Sequence, residues 1–241
     1  MTKFLTLIAS AGLCLLSLLQ FAWAGDFAER HIYGFSMDGG LFAFEEYGVQ
    51  DGSGFPYSNI YVIDTTTDTW TAGSPFRVQL NDETKSVFDA REEAEILAGT
   101  VLKSFEDRGQ IVATNRSSER GIDTKRMVAV PRIVEPPIDD EIEFRLQPLV
   151  FPASGNCIAF NAGNGFRLLQ ISNKGGEETR ILHEDTSVPD SRNCPLEYSF
   201  ADLITYFPEG GTPVVAILIL MRTVGFEGPD GRYIAVTSAL Q

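Results

Sequence analysis

Residues 34–70, reading GFSMDGGLFAFEEYGVQDGSGFPYSNIYVIDTTTDTW, constrain the fold more than any other stretch. Met37-Asp38-Gly39-Gly40 is a turn, because Asp bonds the backbone ahead of it and Gly accepts positive φ without a Cβ clash. Leu41–Phe44 is a short apolar strand, and Tyr47–Tyr57 is a Gly-rich loop. Asn59–Asp64 is a second strand, rich in β-branched and aromatic residues. Asp64–Asp68 turns the chain again, and Thr69-Trp70-Thr71 opens a third strand. The stretch commits this part of the chain to an antiparallel meander.

A short motif recurs: Gly39-x-x-x-Ala43-Phe44, Gly155-x-x-x-Ala159-Phe160 and Gly231-x-x-x-Ala235-Val236. Each Gly lies in a turn cluster, and each copy is expected to lead into an apolar strand. In the middle copy, Asn164-Gly165 reads as a hairpin turn between Cys157–Phe160 and Phe166–Ile171. A further turn is expected at Asn173-Lys174-Gly175-Gly176. Strand, loop, strand, Asp-rich turn and Trp-bearing strand is also the order of a propeller blade. The competing reading is three unrelated turn-to-strand junctions of an ordinary β domain.

One segment breaks the β pattern. From Ser86 to Phe105 the apolar residues step by three and four, which predicts an amphipathic helix over about 86–105, with Asp89 and Glu92 capping it and Gly109 as its stop. Strands are expected at Ile111–Thr114, Met127–Val130, Glu141–Leu146 and Arg232–Thr237. Tyr198–Phe207 reads as a strand or a short helix, and Asp26–Tyr33 as an edge strand with His31 partly buried. Val214–Met221 is continuously apolar but too short to cross a bilayer, so it is expected to be the central buried strand. The fold class is therefore mainly β: antiparallel meanders forming a partial or degenerate β-propeller-like or β-sandwich domain, with one helix, over residues 25–241.

Residues 1–24 read as a secretory signal peptide. Lys3 supplies the charged start, Phe4–Leu19 the apolar core, and Ala22-Trp23-Ala24 the cleavage site. Periplasmic or secreted localisation follows, with cleavage after Ala24 and no membrane insertion thereafter. A formal charge of −14 argues against nucleic-acid partners, which need a basic footprint. In an oxidising compartment Cys157 and Cys194 are expected to form a disulfide, worth roughly 3–4 kcal/mol in the chain-entropy model.

Candidate site residues fall in two places. Glu45 and Glu46 precede an aromatic loop carrying Tyr47 and Tyr57, which suits a sugar or peptide platform or else core packing. Adjacent strand residues face opposite ways, so at most one of the two carboxylates enters a shared site. His183, Glu184 and Asp185, with Arg192 nearby, form the best polar constellation; the alternative is a polar loop pinned by Cys194. Asp51, Ser53 and Asp64–Asp68 offer oxygens of the kind a hard cation uses, yet turns explain them without one, and no metal or cofactor is assigned. No nucleophile elbow, metalloprotease helix, phosphate loop or dinucleotide fingerprint is present.

Three blocks carry a family resemblance: GDFAERHIYGFSMDGGLFAFEEYGVQDGSGFPYSNIYVID, LHEDTSVPDSRNCPLEY and VGFEGPDGRYIAVTS. The chain resembles a family of predicted secreted bacterial proteins, domain of unknown function 2259. The resemblance implies export in Gram-negative bacteria and implies no activity. FSMDGGLFAF with IYVID is also similar to blade motifs of Tol-B-like propellers, with Met37 in place of their proline. At about 40–45 residues per blade, residues 25–241 hold about five blades at most. The leading functional expectation is a non-enzymatic binding or interaction domain for an unknown protein or small ligand, working through loops at one end of its sheets. One alternative is a carboxylate-dependent hydrolase of a glycan or peptide, which would need Glu45 or Glu46 to meet Glu184 or Asp185 in one cleft. The other is an envelope structural or assembly factor.

Overall fold

The computed structural model describes residues 25–116, 123–172 and 178–240. The leader and the turn at Asn173–Gly176 lie outside those residues. Three antiparallel sheets stack in layers, with a helix on the outside of one of them.

The N-terminal sheet contains β1 (Glu29–Ser36), β2 (Leu41–Val49), β3 (Pro56–Asp64), β4 (Thr69–Trp70), β5 (Phe76–Gln79) and β6 (Phe105–Arg108). Its order is β4-β3-β2-β1-β6, with β5 also paired to β3, so β1 is not the expected edge strand. The first meander is present, but its strands run further than expected: Tyr47 lies in β2 and Tyr57 in β3, which narrows the Gly-rich loop to residues 50–55. A bulge at Gly34 (φ +83°) shifts the register of β1, so Phe35 faces the interior of the domain while His31 stays exposed.

The helix α1 spans Val87–Ala98 and continues as a 3-10 segment over Gly99–Ser104. The predicted stretch is right, but its punctuation differs. Ser86 and Asp89 form a capping box, and Gly99 (φ +56°), not Gly109, ends the α-helix. Only Ala90, Ala94 and Ala98 of α1 are buried; they are small enough to let the helix lie close on Ile60 of β3. Leu97 is exposed, contrary to the predicted apolar face.

After α1 come β7 (Gln110–Thr114), β8 (Arg126–Ala129), β9 (Ile142–Pro152), β10 (Ala162–Ile171), β11 (Arg180–Glu184), β12 (Pro195–Tyr206), β13 (Val214–Val224) and β14 (Pro229–Ala239). Strands β8 to β11 form the outer sheet in the order β11-β10-β9-β8. The central sheet runs β14-β13-β12-β7. The stretch read as strand or short helix, Tyr198–Phe207, is thus strand up to Tyr206.

The apolar run Val214–Met221 is the middle of this arrangement. Val215, Ile217, Ile219 and Met221 pack on Phe144, Leu146, Phe166 and Leu168 of the outer sheet. Val214, Ala216 and Leu218 pack on Phe42, Phe44, Tyr61 and Ile63 of the N-terminal sheet. An antiparallel strand covered on both faces must be apolar at every position, which is why the run does not alternate. Each fully buried large side chain of this kind contributes roughly 1.5–3 kcal/mol.

The layering is that of a β-sandwich with an added third sheet, and among the described residues it includes no closed barrel. The short repeat does not recur as a structural unit. Gly39 leads into β2, Gly231 lies within β14, and Gly155 opens a 3-10 turn over Gly155–Phe160. The Asn164-Gly165 hairpin is also absent. Both residues lie inside β10, paired with Val150 and Leu149, and the chain reverses instead at Asn161 (φ +61°). Cys157 and Cys194 are disulfide-bonded, as expected.

Candidate functional site

Glu45 and Glu46 are both buried, and they point to opposite faces of β2. Glu45 faces α1. Arg91 donates to it twice, Nε to Oε1 at 2.9 Å and Nη2 to Oε2 at 2.8 Å, and Ser58 donates a third bond at 2.9 Å. Tyr47 lies on the same face, its ring centroid 4.1 Å from the Arg91 guanidinium. This cluster fastens the helix to the sheet.

Glu46 faces the central sheet. Its Oε1 accepts from Tyr61 Oη at 2.8 Å and Asn59 Nδ2 at 3.1 Å, and its Oε2 accepts from the backbone N–H of Tyr233 at 2.9 Å. Tyr233 is on β14, an edge strand, so a side-chain carboxylate takes the place of a neighbouring strand's carbonyl. Asp68 does the same further along β14. It sits at φ +52° in the β3–β4 turn, and its Oδ1 accepts from the N–H and hydroxyl of Thr237 at 2.7 and 2.9 Å. Burial pushes both carboxyls above their ordinary range. The bonds from Tyr233, Tyr61 and Asn59 partly offset this at Glu46, as do the bonds from Thr237 and the electrostatic influence of the nearby His183 at Asp68.

On the outer sheet, Asp185 is the hub. It accepts from the Phe166 N–H at 2.8 Å, Arg192 Nη1 at 2.7 Å and His183 Nε2 at 2.9 Å. Burial alone would raise its carboxyl, but the bonds from His183, Arg192 and Phe166 hold it below the usual range. His183 stacks on Phe166 at 4.7 Å, and Arg192 lies over the same ring at 5.1 Å. The Cys157–Cys194 bond anchors the turn carrying Arg192. Gly165 makes room for the hub: a Cβ there would fall 2.6 Å from the Phe151 ring and 2.9 Å from Asp185 Oδ2. The Asn-Gly pair therefore records a close approach and not a turn.

These two sets meet over the β14 edge, in a cleft of about 470 Å³. Its floor is β14 from Tyr233 to Val236. Glu46, Trp70 and Arg77 line it from the N-terminal sheet, and His183, Ser191 and Arg192 from the outer sheet. Trp70 is 50% exposed, with the Arg77 guanidinium 5.9 Å from its ring. Among the described residues Arg77 pairs with no carboxylate.

Of the residues predicted from sequence, the structure brings Glu46, His183 and Arg192 into this cleft, with Asp185 behind the last two. Glu45 and Tyr47 are on the helix side. Tyr57 donates to Asp26 at 2.8 Å beneath Arg232, off the cleft. Glu184 is exposed and paired with Arg167 at 2.6 and 2.8 Å. Trp70 and Arg77 were not foreseen as site residues, and Asp68, considered only as a cation oxygen, caps Thr237 instead. The available signal was a Trp and an Arg on two very short strands, both of which must pair with β3.

The acids that offered oxygens for a cation are bound to backbone instead, Asp64 within its own turn and Asp51 across the domain. Asp64 accepts from the N–H groups of Thr66 and Thr67, and Asp51 from that of Glu227. Among the described residues no group of three or more His, Cys, Asp or Glu is placed to hold a metal ion. Nor is any helix among them long and apolar enough to cross a membrane.

The family model described as "Predicted secreted protein (DUF2259)" matches residues 43–238, and the chain belongs to that family. No curated protein and no solved structure matches it.

Proposed function

We propose that this member of a predicted secreted family is a non-enzymatic binding protein, exported to the periplasm or exterior of a Gram-negative cell after cleavage at Ala24. Its ligand occupies the cleft over the β14 edge. The observation that carries this reading is the pairing of a half-exposed Trp70 with Arg77 in a cleft whose acids are already bound to protein groups. Concave sites of this size, with an aromatic surface and a few convergent polar groups, are where small ligands and peptide ends bind. The hydrolase alternative has less support. Both oxygens of Glu46 and of Asp185 accept protein hydrogen bonds, and Glu184 pairs with Arg167 on the other face of β11.

Tryptophan fluorescence tests this. A Trp23→Phe variant leaves Trp70 as the sole tryptophan, excited selectively at the red edge of the band, whether or not the leader is retained. Titration with panels of peptides, oligosaccharides and amino acids should give a saturable change in Trp70 emission that Arg77→Ala abolishes. A panel-wide lack of response, or a response that survives Arg77→Ala unchanged, would remove the cleft as the binding site.

A further inference from the structure

We infer that the cleft takes the C-terminal end of an extended peptide, which adds to β14 as a strand one residue deep, opposite Ala235. This rests on the binding reading above and names its ligand. Strand alternation points the N–H and C=O groups of Gly231, Tyr233, Ala235 and Thr237 away from β13.

All but one of these N–H groups are covered. Gly231 exchanges backbone bonds with Asp26 and Ala28. The Tyr233 N–H is capped by Glu46, and the Thr237 N–H by Asp68. Between them the Ala235 N–H meets no acceptor among the described residues, and it opens into the cleft. An unpaired strand edge is a template for another strand. Here the two carboxylates close it on both sides, so only a single antiparallel residue fits, exchanging two bonds with Ala235. That length suits a chain terminus and excludes a strand running through.

Charge selects which terminus. The protein carries a net −14, yet Arg77, Arg192, Arg232 and His183 all reach this cleft. Asp185 neutralises Arg192, and Asp26 neutralises Arg232, while the two carboxylates that line the cleft itself, Glu46 and Asp68, are turned onto the N–H groups of Tyr233 and Thr237. Arg77 is left to meet a terminal carboxylate, with Trp70 beside it to pack the last side chain. A glycan would need free carboxylates or amides to bind its hydroxyls, but Glu46, Asp68 and Asn59 are already committed.

The test uses nitrogen-15-labelled protein and a library of N-acetylated tetrapeptides, prepared once with free C-terminal carboxylates and once as carboxamides. Binders in the carboxylate set should shift the Ala235 amide downfield. Amidation, or Arg77→Gln in the protein, should weaken them at least tenfold. Binding that ignores amidation, or that leaves the Ala235 amide unmoved, overturns the inference. A library without binders, alongside a saturable Trp70 response to some other ligand, overturns the peptide inference and leaves the binding reading standing. Silence in both experiments overturns both.

Discussion

Glu45 and Glu46 are neighbours in sequence, share one strand and are both out of water, yet they do different work. Glu45 meets a full-length guanidinium that arrives from α1 and makes a closed ion pair. Glu46 meets no such partner within hydrogen-bonding reach and is held by a hydroxyl, an amide and a backbone N–H. One face of the N-terminal sheet is therefore sealed by charge pairing. The other ends in a capped strand edge with an opening beside it. Identical side chains acquire opposite roles because alternation gives each a different neighbour, and the neighbour decides whether a buried carboxylate locks a layer or borders a site.

The largest effect is expected on the sealed face. Arg91→Ala strands a fully buried Glu45 and should cost about 3 kcal/mol in urea unfolding, the lower end for such pairs because Arg91 is itself partly exposed. The cleft should keep its ligand response. If Arg91→Ala abolished that response without unfolding the protein, the two faces would not be independent.

Gly165→Ala comes next, at about 2 kcal/mol, since the added methyl must displace the Phe151 ring or Asp185. It should disturb His183 and Arg192 as well as stability, which a histidine NMR titration would report. A variant as stable as the wild type would show that the hub tolerates a looser fit.

Glu46→Gln should cost about 1 kcal/mol near neutral pH, because an amide oxygen can still accept while its NH2 competes with the remaining donors. Its pH dependence is the sharper test. The folded carboxyl lies above its reference value of 4.5, so the fold favours the protonated form. That contribution is fully present below the unfolded value and is lost as pH rises through the folded one. The stability gap between wild type and Glu46→Gln should therefore shrink as pH rises. A gap that widens would mean that Glu46 is held as a stabilised anion, as a charge-paired carboxylate is.

Smallest of all, Arg77→Ala should change stability by less than about 0.5 kcal/mol, since the residue is exposed and pairs with no described carboxylate. All of its effect should fall on ligand binding, and a marked loss of stability would make Arg77 a structural residue instead.

Periodicity carried much of this fold. The residue 34–70 meander, the helix after Ser86, the alternating strand beginning at Ile142 and the apolar strand at Val214 follow from side-chain spacing, which acts locally. What could not be read was pairing at long range. Asn164-Gly165 has the composition of a turn, and only the approach of Phe151 and of Asp185 from distant parts of the chain explains the glycine. At the site, Glu46, His183 and Arg192 were legible as polar residues in promising places. Asp68 and Ala235 were not, because their roles exist only once β14 lies beside the β3–β4 turn.

Amide hydrogen exchange along β14 tests the central claim most directly. Tyr233, Ala235 and Thr237 present their N–H groups to the same edge, at alternate positions. Slow exchange is expected at Tyr233 and Thr237, which are capped by the buried Glu46 and the half-buried Asp68, and exchange faster by orders of magnitude at Ala235 between them. Equal protection at all three would mean that the edge is closed at Ala235 and that the cleft offers no main chain to a ligand.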